Sequence, residues 1–311
     1  MIDPLIALAF AVESSPGVYA LLLGSGVSRA TQIPTGWEVT LDLIRQIAKL
    51  SGEDCGLDPA KWFEEKYGEE PDYSKLLQLL GSNSAERNRI LRKYFEPTAD
   101  ELEQGIKRPS EAHKAIAKLA ASNHIRVIIT TNFDHLMEQA LKDEGITPVV
   151  ISTAEGAKGA PPIAHGGCFV IKVHGDYLDT RFKNTTSELA NIEKPMRDLL
   201  GRIFDEYGLV ICGWSAIWDT GLRKIIEQCK NHRYTTYWTT RSSLDEQVER
   251  LVALRKASVV SIENADSFFV KLAEKVQSLQ EFSAPHPLSI NAAVASIKRY
   301  LEVGPEIRTA C

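Results

Sequence analysis

Along the chain, short continuous apolar runs alternate with longer stretches whose apolar residues recur every three or four positions. Val18 to Leu23 is one continuous apolar run and ends at Gly24, the pattern of a strand buried on both faces of a parallel sheet. Comparable runs lie at 126–130, 148–152, 168–173, 209–212, 235–239 and 258–262. Between them the period becomes helical. Over 37–50, Val39, Leu43, Ile44, Ile47 and Leu50 fall on one face, as in an amphipathic helix packed on a core. Further helices are predicted over 58–67, 72–80, 84–95, 110–121, 134–143, 193–206, 216–230, 243–255, 266–281 and near 290–302. Ser110, after Pro109, is an N-cap candidate. The opening stretch, with Pro4 in a first-turn position, predicts a short amphipathic helix.

Alternating strands and helices mean parallel strands joined by right-handed crossovers, with helices on both faces. The expected fold is therefore α/β: a doubly wound, mostly parallel, Rossmann-like sheet of six or seven strands. A helical block over 58–122 interrupts it between the first two strands and reads as an inserted subdomain or cap, the insertion beginning near residue 51. Glu64-Glu65-Lys66 and Arg87-Asn88-Arg89 are read as solvated faces of that block, and Gly52, Gly56 and Gly105 as its hinges. The main domain is expected over 1–282. Residues 283–311 read as a linker and a helix that either ends the protein or leads into a further domain.

Composition narrows the class. Of 311 residues, 44% are hydrophobic and 25% charged, which excludes disorder and coiled coil. The formal net charge of −5 disfavours binding driven by nucleic-acid phosphates. The five cysteines, Cys55, Cys168, Cys212, Cys229 and Cys311, are odd in number and widely spaced. Neither a disulfide framework nor a structural zinc site is suggested, and a reducing, cytoplasmic setting is expected. The N-terminal apolar stretch lacks a basic flank, so it is not a signal peptide. No apolar run approaches the ~20 residues of a membrane span.

Four segments fall at the C-terminal ends of predicted strands, the edge where open α/β sheets bind ligands. Gly24-Ser25-Gly26-Val27-Ser28, leading to Thr35, is a glycine turn whose amides would approach a diphosphate. Thr131-Asn132-Phe133-Asp134 places a carboxamide and a carboxylate at a strand-to-helix junction. Lys172-Val173-His174-Gly175-Asp176 sets a histidine at an exposed elbow, where it suits general-base work. Gly213-Trp214-Ser215, with Asp219 beyond, is a second close-approach turn. Taken singly, each is as well explained by capping or packing.

Jointly and in this order, G-S-G-V-S…I-P, T-T-N-F-D, K-V-H-G-D and G-W-S…D resemble the sirtuin-like NAD-binding superfamily. The set looks most like the bacterial sirtuin-like NADase domains of antiphage defence systems. The resemblance runs from Tyr19 to Leu279 and includes Ala265-Asp266-Ser267-Phe268-Phe269 with Leu272. It implies NAD as substrate, Asn132 on the ribose and attacking water, and His174 as general base. It places Asp134 at the nicotinamide carboxamide, with Thr131 and Thr35 also at the cofactor. Gly24, Ser25, Gly26 and Ser28 would hold the diphosphate, and Gly213, Ser215 and Asp219 the adenosine half. It implies no metal, and control by a homo-oligomer, sensor domain or partner protein, without direct nucleic-acid or membrane binding.

The sequence also departs from the family. The family's Gly-Ile-Pro reads Gln32-Ile33-Pro34 here, and the following Phe-Arg of deacylases is replaced by Gly36-Trp37. The interval from His174 to the strand at 209 contains no cysteine, whereas deacylases carry a four-cysteine zinc module there. These departures favour an NAD glycohydrolase over the two other readings, a protein deacylase and a non-catalytic NAD or ADP-ribose module.

Overall fold

The computed structural model describes residues 2–176, 190–217, 219–229, 231, 233–283 and 287–302. Seven strands form one sheet: β1 (Tyr19–Leu23), β2 (Ile125–Thr130), β3 (Val149–Ile151), β4 (Phe169–Lys172), β5 (Gly208–Cys212), β6 (Thr236–Thr240) and β7 (Ser258–Ser261). Their order is β3-β4-β2-β1-β5-β6-β7, and every neighbouring pair is parallel. β1 is central, with Leu21 beside Ile128 on one side and Val210 on the other. After β4 the chain crosses back over β1 to lay down β5. That reversal opens a crevice at the C-terminal ends of β1 and β5, the switch point of a doubly wound sheet.

The helices are α1 (Pro4–Ser14), α2 (Gly36–Leu50), α3 (Pro59–Tyr67), α4 (Tyr73–Leu80), α5 (Ser84–Phe95), α6 (Ala99–Glu103), α7 (Glu111–Ala121) and α8 (Leu136–Asp143). They continue with α9 (Ala154–Gly159), α10 (Lys194–Glu206), α11 (Thr220–Gln228), α12 (Glu246–Arg255), α13 (Ala265–Ser283) and α14 (Pro287–Glu302). Because strand side chains alternate between faces, β1 feeds two cores. Tyr19, Leu21 and Leu23 pack with Leu8 of α1, Ile116 of α7, Leu141 of α8 and Phe269 of α13. Ala20 and Leu22 pack with Leu200 and Phe204 of α10, Ile226 of α11 and Leu251 of α12.

Three expectations are corrected by this packing. The helix at 110–121, taken as part of the inserted block, is the crossover α7. Its Ala112, Ala115, Ile116 and Leu119 are buried in the sheet's own core, so the block standing off the sheet is built from α3 to α6 with α2. α1 is not amphipathic. It buries Leu8, Ala9 and Val12 while its Ile6 and Phe10 remain exposed. Arg87, read as solvated, is buried in α5. Its stem fills the space where Gly81 has no side chain, 2.8 Å from an ideal Cβ there.

The block is tied to the sheet where the site will lie. Val39 and Leu43 of α2 pack with Leu77 and Leu91, and Phe95 and Phe133 join the same cluster. The Phe95 and Phe133 rings meet edge to face, 5.7 Å apart. The Tyr94 hydroxyl donates to Asp42 of α2 at 2.5 Å. Gly52, Gly56 and Gly105 hold left-handed turns at φ +73, +61 and +74, which glycine adopts without strain. The predicted linker straddles residues outside the described ones. Among the described residues no helix is long and apolar enough to cross a membrane.

Candidate active site

Four loops leave the C-terminal ends of β1, β2, β4 and β5 and surround a cavity of 460 Å³ that the inserted block closes on one side. Of the residues singled out from the sequence, Ser25, Ser28, Thr35, Thr131, Asn132, Asp134, His174, Gly213, Ser215 and Asp219 all line it. Gly24 and Gly26 do not.

The reason lies in how the β1 and β5 loops meet. An ideal Cβ on Gly24 would stand 2.3 Å from Gly213 O, and one on Gly26 2.8 Å from Gly213 Cα. Gly213 itself holds φ +70. Backbone therefore packs on backbone, and the glycines are explained by each other. Their amides are used too: Gly24 N donates to Cys212 O, Gly26 N to Gly213 O, Val27 N to Gly24 O and Ser28 N to Ser25 O. Of the diphosphate cradle expected from Gly24, Ser25, Gly26 and Ser28, the Gly24 and Gly26 amides hold the two loops together and the Ser28 amide closes the β1 loop on itself.

The β2 loop carries a connected set. Asn132 Nδ2 donates to Ser28 Oγ at 3.0 Å, and Ser28 Oγ donates to Asp134 Oδ2 at 3.0 Å. Asp134 Oδ1 accepts from Leu136 N at the start of α8. Ser28 and Asp134 are buried. The carboxamide is thereby fixed in one orientation, with Asn132 Oδ1 buried and without a donor among the described residues.

On β4 and β5, His174 and Asp219 form a dyad. His174 Nε2 lies 2.5 Å from Asp219 Oδ2, and both residues are buried. Asp219 Oδ1 caps α11 through Leu222 N. Asp219 was expected along the adenosine half; its carboxylate instead stands against the histidine. The other ring nitrogen, His174 Nδ1, is buried and has no hydrogen-bond partner among the described residues. A proton on the Asp219-facing nitrogen leaves a lone pair on the opposite one, the form a general base needs.

Sequence reasoning missed the cavity's aromatic wall. Trp37, Tyr73, Phe95 and Phe133 line it together with Ile33 and Pro34, and three of these four rings come from α2, α4 and α5 rather than from a motif. Thr35 caps α2 in a reciprocal box with Glu38. Gln32 holds φ +63, which accounts in backbone terms for the glycine usual there. No cysteine is among the described residues that line the cavity, and burial pushes the Cys168, Cys212 and Cys229 thiols up to about 11.

Residues 126–262 match the SIR2-like domain family. That stretch is similar to a SIR2-like domain. Solved structures agree at the level of fold. A structure of a Sir2 enzyme matches at 15% identity and TM-score 0.51, covering 90% of this chain and all of the other. A histidine-to-asparagine mutant of a Sir2 homologue, in complex with ADP-ribose, matches at 16% identity and TM-score 0.50, covering 90% of this chain and 98% of the other. A serine-to-alanine mutant in complex with ADP-ribose gives the same figures. No curated protein sequence matches the chain. The SIR2-like match begins at β2 and ends just past β7, so it contains Asn132, His174 and Asp219 but not the β1 loop.

Proposed function

We propose that this sirtuin-like domain hydrolyses the nicotinamide–ribose bond of NAD, releasing nicotinamide and ADP-ribose. The observation that carries the reading is a pair of buried acceptors, Asn132 Oδ1 and His174 Nδ1, both without donors among the described residues and both belonging to residues that line one cavity. Buried acceptors are stable only when something donates to them. Ribose hydroxyls and an attacking water are donors of the right kind. The solved Sir2 homologues of the same fold were captured with ADP-ribose, which supports the same ligand class here.

In this scheme Asn132 orients the water, and His174 takes its proton as the water oxygen bonds to ribose C1′. The C1′–N bond breaks, its electron pair goes to the nicotinamidium ring, and nicotinamide leaves neutral. Asp219 holds the ring and stabilises the imidazolium that forms. The lack of cysteine between His174 and β5 favours water over an acyl-lysine as acceptor. Described cysteines that are all free thiols are consistent with a reducing cytoplasm. The domain is read as the NAD-depleting effector of a bacterial defence system, held in check by assembly or a sensor until triggered.

The test is turnover of NAD by activated protein, followed by mass spectrometry, with Asn132→Ala and His174→Ala. Each is expected to lose about 10²–10⁴-fold in rate, and with acetyl-lysine peptide present the product stays ADP-ribose rather than O-acetyl-ADP-ribose. Wild-type turnover in both variants would sink the mechanism.

A further inference from the structure

Behind the Asn132 loop lies a buried cluster that the reaction scheme leaves unused. Lys172, the last residue of β4, is fully buried. Its ammonium donates to Phe133 O at 3.0 Å, Asp134 O at 2.7 Å and Asp176 Oδ2 at 2.9 Å. Glu138 Oε1 of α8 is 3.2 Å away. His135 Nε2 lies 2.7 Å from the second Asp176 oxygen, Oδ1. His135, Glu138 and Asp176 bring donor atoms close enough for a divalent cation, and the Lys172 ammonium stands beside two of them, Glu138 and Asp176.

We propose that Lys172 is a positioning residue: an internal cation that clamps the loop carrying Asn132 to the loop carrying His174. Three features carry this. A fully buried ammonium is costly unless every donor is satisfied, and here its three protons meet three acceptors. Two of those acceptors are main-chain carbonyls immediately after Asn132, so the clamp acts on the backbone. The third, Asp176, lies four residues on, and the Lys172–Asp176 pair spans the turn that presents His174. One side chain therefore fixes both catalytic loops relative to each other without touching the cavity, which it does not line.

The inference rests on the hydrolase reading for its effect on rate, but the clamp itself is measurable without turnover. Hydrogen exchange by mass spectrometry compares a peptide over 131–136 with one over β1 in Lys172→Met and in Lys172→Met/Asp176→Leu, the second leaving no unpaired Asp176 charge. Exchange in 131–136 is expected to rise ~10-fold or more while β1 stays protected. In the same variants kcat should fall by about 10²-fold with KM for NAD little changed, the signature of misplaced groups rather than lost binding. If neither variant folds, Asp176→Asn, which keeps shape and weakens one arm, should lower kcat several-fold at an unchanged melting temperature. Wild-type exchange over 131–136, a double variant with wild-type turnover, or an Asp176→Asn protein with unaltered kcat would each overturn the clamp. A wild-type protein that neither binds ADP-ribose nor cleaves NAD would overturn the hydrolase reading instead, while the exchange result would still judge Lys172.

Discussion

Asp219 does two jobs with two oxygens. Oδ1 caps α11 and Oδ2 holds His174. Asparagine caps helices about as well as aspartate, so Asp219→Asn separates the jobs. The cap survives and the melting temperature should move little. The amide, however, offers the imidazole no charge and favours the wrong tautomer, so NAD turnover should fall by roughly 10²–10⁴-fold. A steady-state assay beside a thermal melt of the same preparation checks both halves. The dyad was only half legible in the sequence. Asp219 stood out because it follows a glycine turn, but a partner 45 residues away is set by strand order, not by spacing. Lys172 was in view within the K-V-H-G-D motif. Its meaning was not, because its acceptors are carbonyls, which every residue has.

At the scale of elements, the β1 and β5 loops stand or fall together. Gly24→Ala drives a Cβ to 2.3 Å from Gly213 O, and neither backbone can yield without disturbing its strand. A loss of about 1–3 kcal/mol is expected from such overpacking, read as a lower denaturation midpoint. Gly213→Ala adds the strain of a left-handed residue, about 1–2 kcal/mol, and should be no milder. The four central strands β1, β2, β4 and β5 were readable as buried apolar runs with a glycine or polar turn after them, and β3, β6 and β7 as shorter runs of β-branched and aromatic residues. What escaped were the short helices α6 and α9, too brief for a period to register, and the layer to which α7 belongs. A helix's buried face announces that it packs, not against which neighbour. The buried Arg87 misled for a similar reason, since a charged triplet on a helix is read as solvated unless the cleft left by a distant glycine is known.

Across the whole molecule, two buried histidines set an acid limit. Burial holds His113 below its ordinary 6.5, against the opposing pull of Asp134 and Asp266. Its Nδ1 accepts from Ser110 N, a bond a protonated ring forfeits. Burial lowers His124 in the same way, with Glu13 opposing. Below pH 6.5 the unfolded chain takes up protons at these two sites more readily than the folded one. Their contribution to stability is therefore complete above that pH and is lost as pH falls through the lowered values. Thermal melts between about pH 5 and pH 7.5 should show the melting temperature dropping on the acid side, and His113→Gln should flatten that drop. A melting temperature independent of pH over this range would contradict the assignment.

The central place of β1 also has a consequence for biosynthesis. Tyr19–Leu23 is made early, yet its two flanks are Ile125–Thr130 and Gly208–Cys212. A nascent chain thus carries its most apolar strand unpaired on one edge until almost 190 residues later. Pairings so distant in sequence are slow to form and leave sticky edges meanwhile. On the ribosome this domain should gain its native sheet late and in one step, once β5 has emerged. Until then it is a client for chaperones that mask strand edges, and the cavity does not exist, since its lining comes from the loops of both the earliest and the later strands.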